Sequence, residues 1–195
     1  MKLDQLIQTR RTICVIGIDD AHYHDKTRGS NVHFSGIVCG GTRLEGMIWN
    51  RLDKDGLDST LRIKQAIESS KFHAQLHLVL LDGITFGGAN VVDLPALSSD
   101  LGLPVVAVMR RPPNVEGFRA IFQFFPDADE RLRRVEAAGP IHQIGPWVFQ
   151  CAGEDSRTVA SALTRLTDRG NVPEALRLAH LIGAAVQLGE SGKRA

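Results

Sequence analysis

The chain is poor in the residues that would staple or anchor it: three cysteines, one tyrosine and two tryptophans in 195 residues. Cys14, Cys39 and Cys151 are odd in number, far apart and set in apolar, strand-like contexts. That spacing argues against a disulfide framework or a cysteine-based zinc site and predicts reduced, buried thiols. Neither sign of charge is in excess, since 23 Lys and Arg against 22 Asp and Glu leave a net charge of +1. Nucleic-acid binding would therefore have to come from local clusters such as Arg110-Arg111 or Arg131, Arg133 and Arg134, and not from a global field. No apolar run reaches the length of a membrane span, and the opening MKLDQLIQTRR lacks the apolar core of a signal peptide, so a cytoplasmic location is expected. There is no internal repeat, low-complexity tract or linker. With 43% hydrophobic residues, the length predicts one domain over 1–195 with a sizeable core.

The most informative stretch is LHLVLLDGITFGGANVVDLPAL, residues 76–97. An apolar run stops on Asp82-Gly83, a glycine-rich loop follows, and a helix can open with Pro95 in its first turn. Residues 12–18, TICVIGI, form a second apolar run that also ends on carboxylates, Asp19 and Asp20. Two strands that each deliver an aspartate to one end can share a cation if they are neighbours in one sheet.

Strands are predicted at 12–18, 33–40, 44–51, 76–81, 105–109, 141–143 and 147–151. Helices are predicted at 58–70, 94–101, 116–125, 127–138, 155–167 and 173–188. Gly40-Gly41 and residues 53–56 supply turn chemistry, so the first three strands read as an antiparallel meander. After it the order alternates strand and helix, as parallel crossovers require. The fold class expected is α/β, a ribonuclease H-like mixed sheet with a three-stranded meander plus parallel strands, flanked by helices.

Several residues could carry chemistry. Asp19 and Asp20 either cap a strand or hold a metal, and strand alternation lets only one of them face a site. Asp82 is either a turn-forming Asp-Gly or a metal ligand. Asp58 has the position of a helix N-cap. His180 lies off the stripe Ala175, Ala179, Ile182 and Val186 that is expected to be the buried side of the last helix. His22, His24 and Asp25 sit in a polar loop without helical spacing, which speaks against a zinc site. The glycine-rich loop has no Gly-Lys-Ser/Thr and is not a P-loop. Its glycines let backbone approach a ligand without a Cβ clash. Arg110 and Arg111, just past a strand, are placed for phosphate, or are a solvated exit from the sheet.

Taken together, VIGIDD, LDGITFGGANVVDL and PVVAVMRRPP resemble the endonuclease dU family, a relative of endonuclease V, over nearly the whole chain. The wider endonuclease V pattern is similar at Gly17-Ile18-Asp19, which selects Asp19 over Asp20, and at Leu81-Asp82-Gly83. It is similar at Val106-Ala107-Val108-Met109-Arg110, where arginine replaces the expected lysine. It also resembles Pro173-Glu174-Ala175-Leu176-Arg177-Leu178-Ala179-His180, which brings His180 into the candidate site. The Phe-Arg-Glu of endonuclease V is missing, and Asp58 is the candidate substitute for its glutamate. The strand-opening Pro-Tyr-Ile-Pro is absent as well, so inosine specificity does not carry over.

The resemblance implies a Mg²⁺-dependent (or Mn²⁺-dependent) endonuclease acting on damaged or deaminated DNA, with deoxyuridine the family's inferred target and RNA an alternative polymer. It implies metal ligands Asp19, Asp82 and Asp58, with His180 completing the catalytic set. Arg110 and Arg111 would meet phosphate, and the loop of Gly83, Phe86, Gly87 and Gly88 would recognise the base. Two other readings remain: a non-catalytic nucleic acid-binding protein that keeps the fold, and a small-molecule phosphohydrolase using the same carboxylates.

Overall fold

The meander predicted by the first three apolar segments forms one edge of a seven-stranded sheet. In the computed structural model, which describes residues 1–112 and 115–191, β1 (Cys14–Asp20), β2 (Asn31–Gly40) and β3 (Arg43–Asp53) pair antiparallel in succession. Pro113 of the PVVAVMRRPP motif lies outside the described residues. Then β4 (Leu78–Asp82) pairs parallel with β1, and β7 (Val105–Met109) pairs parallel with β4. Between them β5 (Thr85–Phe86) and β6 (Asn90–Val91) make a separate small hairpin inside the glycine-rich loop. The strand order is β3-β2-β1-β4-β7-β9-β8, with β8 (His142–Ile144) and β9 (Trp147–Ala152) closing the other edge.

Two features of the sheet go beyond the sequence expectation. The last two strands form an antiparallel hairpin, and β9 runs antiparallel to β7; parallel pairing of neighbours is confined to the three central strands β1, β4 and β7. The strands carrying the aspartates also run further than their apolar residues suggest. Asp19 and Asp20 are still laddered, to Ser35 and Phe34, because the longer β2 continues to offer hydrogen bonds past the apolar run.

Strand alternation sends side chains to two cores. On one face α2 (Ser59–Glu68), α3 (Leu94–Leu101), α4 (Val115–Phe122) and α5 (Ala128–Ala137) cover Ile16, Ile18, Val79, Leu81, Val105 and Ala107. On the other face α1 (Leu3–Gln8), α6 (Ser156–Arg165) and α7 (Glu174–Leu188) cover Val15, Ile37, Leu78, Leu80, Val106 and Phe149. The short α1 is absent from the expected elements; it stands by burying Leu3 and Leu6 against α6 rather than by its own propensity. The three thiols are free, and those of Cys14 and Cys39 are buried. Among the described residues, no helix is long and apolar enough to cross a membrane.

Candidate metal centre

Asp19 and Asp82 reach the same place through the register of β1 and β4. Gly17 pairs with Leu80 and Ile18 with Leu81, so the next residues along each strand, Asp19 and Asp82, stand side by side at the C-terminal edge. Their alternation with Val15 and Gly17, and with Leu78 and Leu80, points both carboxylates to the α7 face. Asp20 points to the opposite face, where its Oδ2 accepts a hydrogen bond from the Gly87 amide at 2.7 Å.

Helix α7 supplies the third group. A Cβ on Gly17 would lie 2.5 Å from the Ala175 carbonyl carbon, so the missing side chain is what lets the helix backbone rest on β1. Ser35 on β2 donates its hydroxyl to the Ala179 carbonyl at 2.8 Å, fixing the helix one residue before His180. The buried side of α7 is Ala175, Leu176, Ala179 and Gly183. The expected stripe misplaced it: Val186 is 57% exposed, because the small residues, not the large apolar ones, allow the close approach. His180 therefore flanks the buried side, and its Nδ1 lies 2.9 Å from Asp19 Oδ2.

One ligand atom each from Asp19, Asp82 and His180 lies within 4.8 Å of the others. Two carboxylate oxygens and an imidazole nitrogen at that spacing suit a divalent cation. The electrostatics point the same way. Burial, then the Asp19 charge, raise Asp82 to about 6 from 3.8, with Arg110 and His180 acting to lower it. Burial and Asp19 likewise raise Asp20 to about 6. His180 is raised chiefly by its hydrogen bond to Asp19. Crowded, largely desolvated carboxylates with so little positive charge between them are what a cation would relieve.

Asp58 is not brought to this cluster. It stands at the N-cap position of α2, yet its side chain caps nothing. Its Oδ1 accepts from the Asp53 amide at 3.1 Å and from Asn90 Nδ2 at 2.8 Å, and its Oδ2 pairs with Arg62 Nε at 2.9 Å. Oδ1 thus ties the turn before α2 to Asn90, and Oδ2 is held by an arginine of the helix itself.

The glycine-rich loop also departs from expectation. Phe86 is fully buried in the core on the face covered by α2 to α5, so its ring cannot stack on a base. Gly83 has φ +82 with open space around a notional Cβ, so glycine is needed there for conformation alone. It turns the chain so that Asp82 faces α7 while Ile84 joins the core on the other face. Gly87 and Gly88 also have positive φ, and they lie against Val32 and Leu52 and against Asp55 respectively.

Of the arginines expected to form basic clusters, Arg110 and Arg111 are exposed just past β7, and Arg110 is near enough to act on Asp82 and His180. The α5 group is occupied internally. Arg131 is 0% exposed. It pairs with Asp127 and donates to the carbonyls of Asp55 at 2.8 Å, Gly56 at 3.0 Å and Ala89. Arg134 donates to Leu57 O at 3.0 Å and Val91 O at 2.9 Å. Arg133 pairs with Asp93 and Glu130. Together they lock the loop and the turn at 55–57 to α5. A charged, polar-looking helix segment gave no sequence signal of that burial.

Next to Gly83, on the face away from α7, a cavity of about 380 Å³ opens under α4 and α5. Its walls include Ile84, Met109, Phe118, Val135 and Pro140, with Gln150 of β9 among them. The sequence signal for it was Gln150 itself, a lone amide inside the apolar strand WVFQCA.

The sheet order and the helices on its two faces define a ribonuclease H-like fold of the endonuclease V type. Within that class the chain belongs to the Endonuclease dU family, whose profile matches residues 11–187. A UPF0215 protein of Pyrococcus furiosus is 37% identical over 190 residues, covering 95% of this chain and 98% of that one. A crystal structure of a protein from Archaeoglobus fulgidus matches with a TM-score of 0.84 at 34% identity, covering 89% of this chain and 98% of that one. Endonuclease V of Ciona intestinalis, crystallised with a 24mer DNA containing an inosine followed by a ribo-adenosine, matches with a TM-score of 0.54 at 14% identity, covering 91% and 90%. At that identity the likeness is one of fold.

Proposed function

We propose that the chain is a Mg²⁺- or Mn²⁺-dependent endonuclease that hydrolyses phosphodiester bonds in DNA carrying deaminated bases, with deoxyuridine, the target in the family's description, the first candidate. The observation that carries this reading is the meeting of Asp19, Asp82 and His180 at the C-terminal edge of adjacent parallel strands. Asp19 and Asp82 are the residues that would hold the cation. When bound there, a hard dication supplies a water of lowered pKa and positive charge for the leaving oxygen.

The chain's own groups account for the rest. Asp19 orients the His180 imidazole through Nδ1, which leaves Nε2 as the ring atom for proton exchange or phosphate contact. Arg110, beside the carboxylates and exposed, meets the phosphate, and Arg111 extends the same positive edge. Asp20 holds the Gly87 amide and so fixes the loop behind Asp82.

The test is cleavage of oligonucleotides that differ only in one central base (uracil, inosine or an abasic site), as DNA and as RNA, with Mg²⁺, Mn²⁺ or chelator. The parent should cut in a metal-dependent way and Asp82→Asn should not. A second reading rests on Asp58, whose absence from the cluster leaves two carboxylates in it among the described residues: a nucleic acid-binding protein that keeps the fold without cleaving. It would show as binding unchanged by chelator and no product after long incubation.

A further inference from the structure

We propose that Gln150 is a specificity-determining residue: the cavity beside Gly83 takes an extruded base, and Gln150 reads the edge of that base that deamination changes. This inference rests on the nuclease reading for the site's purpose, but its geometry is independent of the metal ligands. The cavity, about 380 Å³, has the size of a small-ligand site. It begins at Gly83, the residue after Asp82, and lies on the other face of the sheet from His180. A backbone held at the carboxylates can thus place its base there only by turning it out of the stack, as enzymes that inspect single bases do. Its walls are chiefly apolar, among them Ile84, Phe118, Val135 and Ile141, and besides Gln150 the polar side chains that line it are Thr85 and Glu136.

Within that lining Gln150 is 4% exposed and projects from β9 to the cavity face, opposite Ala107 in register. Its Nε2 donates to the Gly139 carbonyl at 2.8 Å. Only the nitrogen end of an amide can face a carbonyl oxygen, so this contact fixes which end is which. Among the described residues no hydrogen bond is made to its Oε1. The amide therefore presents an acceptor, and beside it the second N–H, in a set order.

A lactam edge, N–H next to C=O, matches that order in uracil (N3–H and O4) and in hypoxanthine (N1–H and O6). Cytosine and adenine present the reverse order, a ring-nitrogen acceptor next to an amino donor. To pair with them in the same base orientation the amide would have to flip, setting Oε1 against the Gly139 carbonyl and leaving two buried acceptors facing each other. Gln150 thus separates each deaminated base from its parent. Thymine and guanine share the lactam edge, and their exclusion falls to extrusion itself, since a base in a mismatch is the easiest to unstack.

The experiment compares parent, Gln150→Met and Ile141→Trp by binding (fluorescence anisotropy, without metal) and by metal-dependent cleavage. The probes are one DNA duplex carrying a central dU, dC, dI, dA or abasic site. Gln150→Met keeps the volume and removes the amide; Ile141→Trp fills the cavity from its partly exposed rim, away from the buried core. The parent should prefer dU over dC and dI over dA. Gln150→Met should reduce both ratios by about tenfold, the value of one ordinary hydrogen bond, with its melting temperature near the parent's. Ile141→Trp should lose the preference while still binding the abasic duplex, and it carries the test if Gln150→Met does not fold. If both folded variants keep the parent's base ratios, the Gln150 inference is overturned, whether or not the parent cleaves. If the ratios collapse as expected but no metal-dependent product forms, base reading stands and the nuclease reading fails. A parent without base preference overturns the inference directly.

Discussion

The imidazole Nδ1 of His180 sits 2.9 Å from Oδ2 of Asp19, joining the last helix to the first strand across 161 residues of sequence. One end of that contact is on a strand buried on both faces, and the other is on a helix seated by Gly17, Ser35 and Gly183. The pair is thus set by the packing of the whole α7 face rather than by a local turn.

His180→Ala should lower cleavage by roughly 10²–10⁴-fold, the usual range for a general acid–base group. Thermal stability should change little, since the ring is partly exposed and makes one hydrogen bond. Single-turnover kinetics alongside differential scanning calorimetry checks it. A large fall in melting temperature with undiminished activity per folded molecule would assign His180 a structural role.

Asp82 gives a pH dependence with a definite sign. In the metal-free protein its folded pKa of about 6 exceeds the ordinary 3.8. Its contribution to stability is therefore fully present below about pH 3.8 and lost as pH rises through about 6. Asp20 adds to the trend with the same sign. With chelator at pH 7.5, Asp82→Asn should accordingly be more stable than the parent, by up to about 3 kcal/mol, and the two should converge near pH 4. Mg²⁺ should stabilise the parent at pH 7.5 and not the variant, and calorimetric Mg²⁺ affinity should rise with pH through about 6. Equal affinity in the two proteins would remove Asp82 from the site.

Gly17→Ala puts a methyl group where the α7 backbone lies, 2.5 Å from Ala175 C and 2.7 Å from Leu176 N. Neither neighbour is a flexible side-chain end, so the helix must move, at about 1–3 kcal/mol. As α7 lifts, His180 should lose its partner, and its imidazole pKa, read by NMR titration, should fall back toward 6.5. An unchanged titration would show that the helix adjusts without carrying the ring away.

Arg131→Met should be the costliest of these changes. It leaves Asp127 without its main partner and three backbone carbonyls without a donor. Breaking a buried ion pair from one side costs about 3–5 kcal/mol, which for a chain of this size lowers the melting temperature by roughly 10 °C. Hydrogen exchange should show the amides of Gly87 and Ala89 opening first, because the loop loses its clamp.

The parts of this architecture that could be read from the sequence are those with local causes. Apolar runs that stop on Asp19-Asp20 and Asp82 mark strands and their ends, and Gly40-Gly41 marks the first hairpin. The rest depends on partners far along the chain. Helix α1 is too short to signal itself. The direction of β9 depends on which edge it joins. Val186 is as apolar as Ile182 but lies beyond the part of α7 that Ala179 and Gly183 bring down onto the sheet. Asp58 has the position of a cap, yet Arg62 and Asn90, one turn and 32 residues away, decide where its oxygens go. Nothing in DERLRRVE announces that its first arginine would be buried beneath a loop 42 residues earlier.

The left-handed turn at Gly83 has a consequence for how such a protein can change. By sending Asp82 to one face of the sheet and Ile84 to the other, it divides the neighbourhood between two sets of supports that share almost no residues: α7 and β2 on one side, α4, α5 and β9 on the other. Substitutions under α4 and α5 can reshape the cavity while the carboxylates keep their spacing. Residues on α7 can retune the imidazole without touching the cavity wall. On this frame the cavity and the carboxylate pair can vary one at a time, and the positive φ of the glycine between them is what keeps the two halves apart.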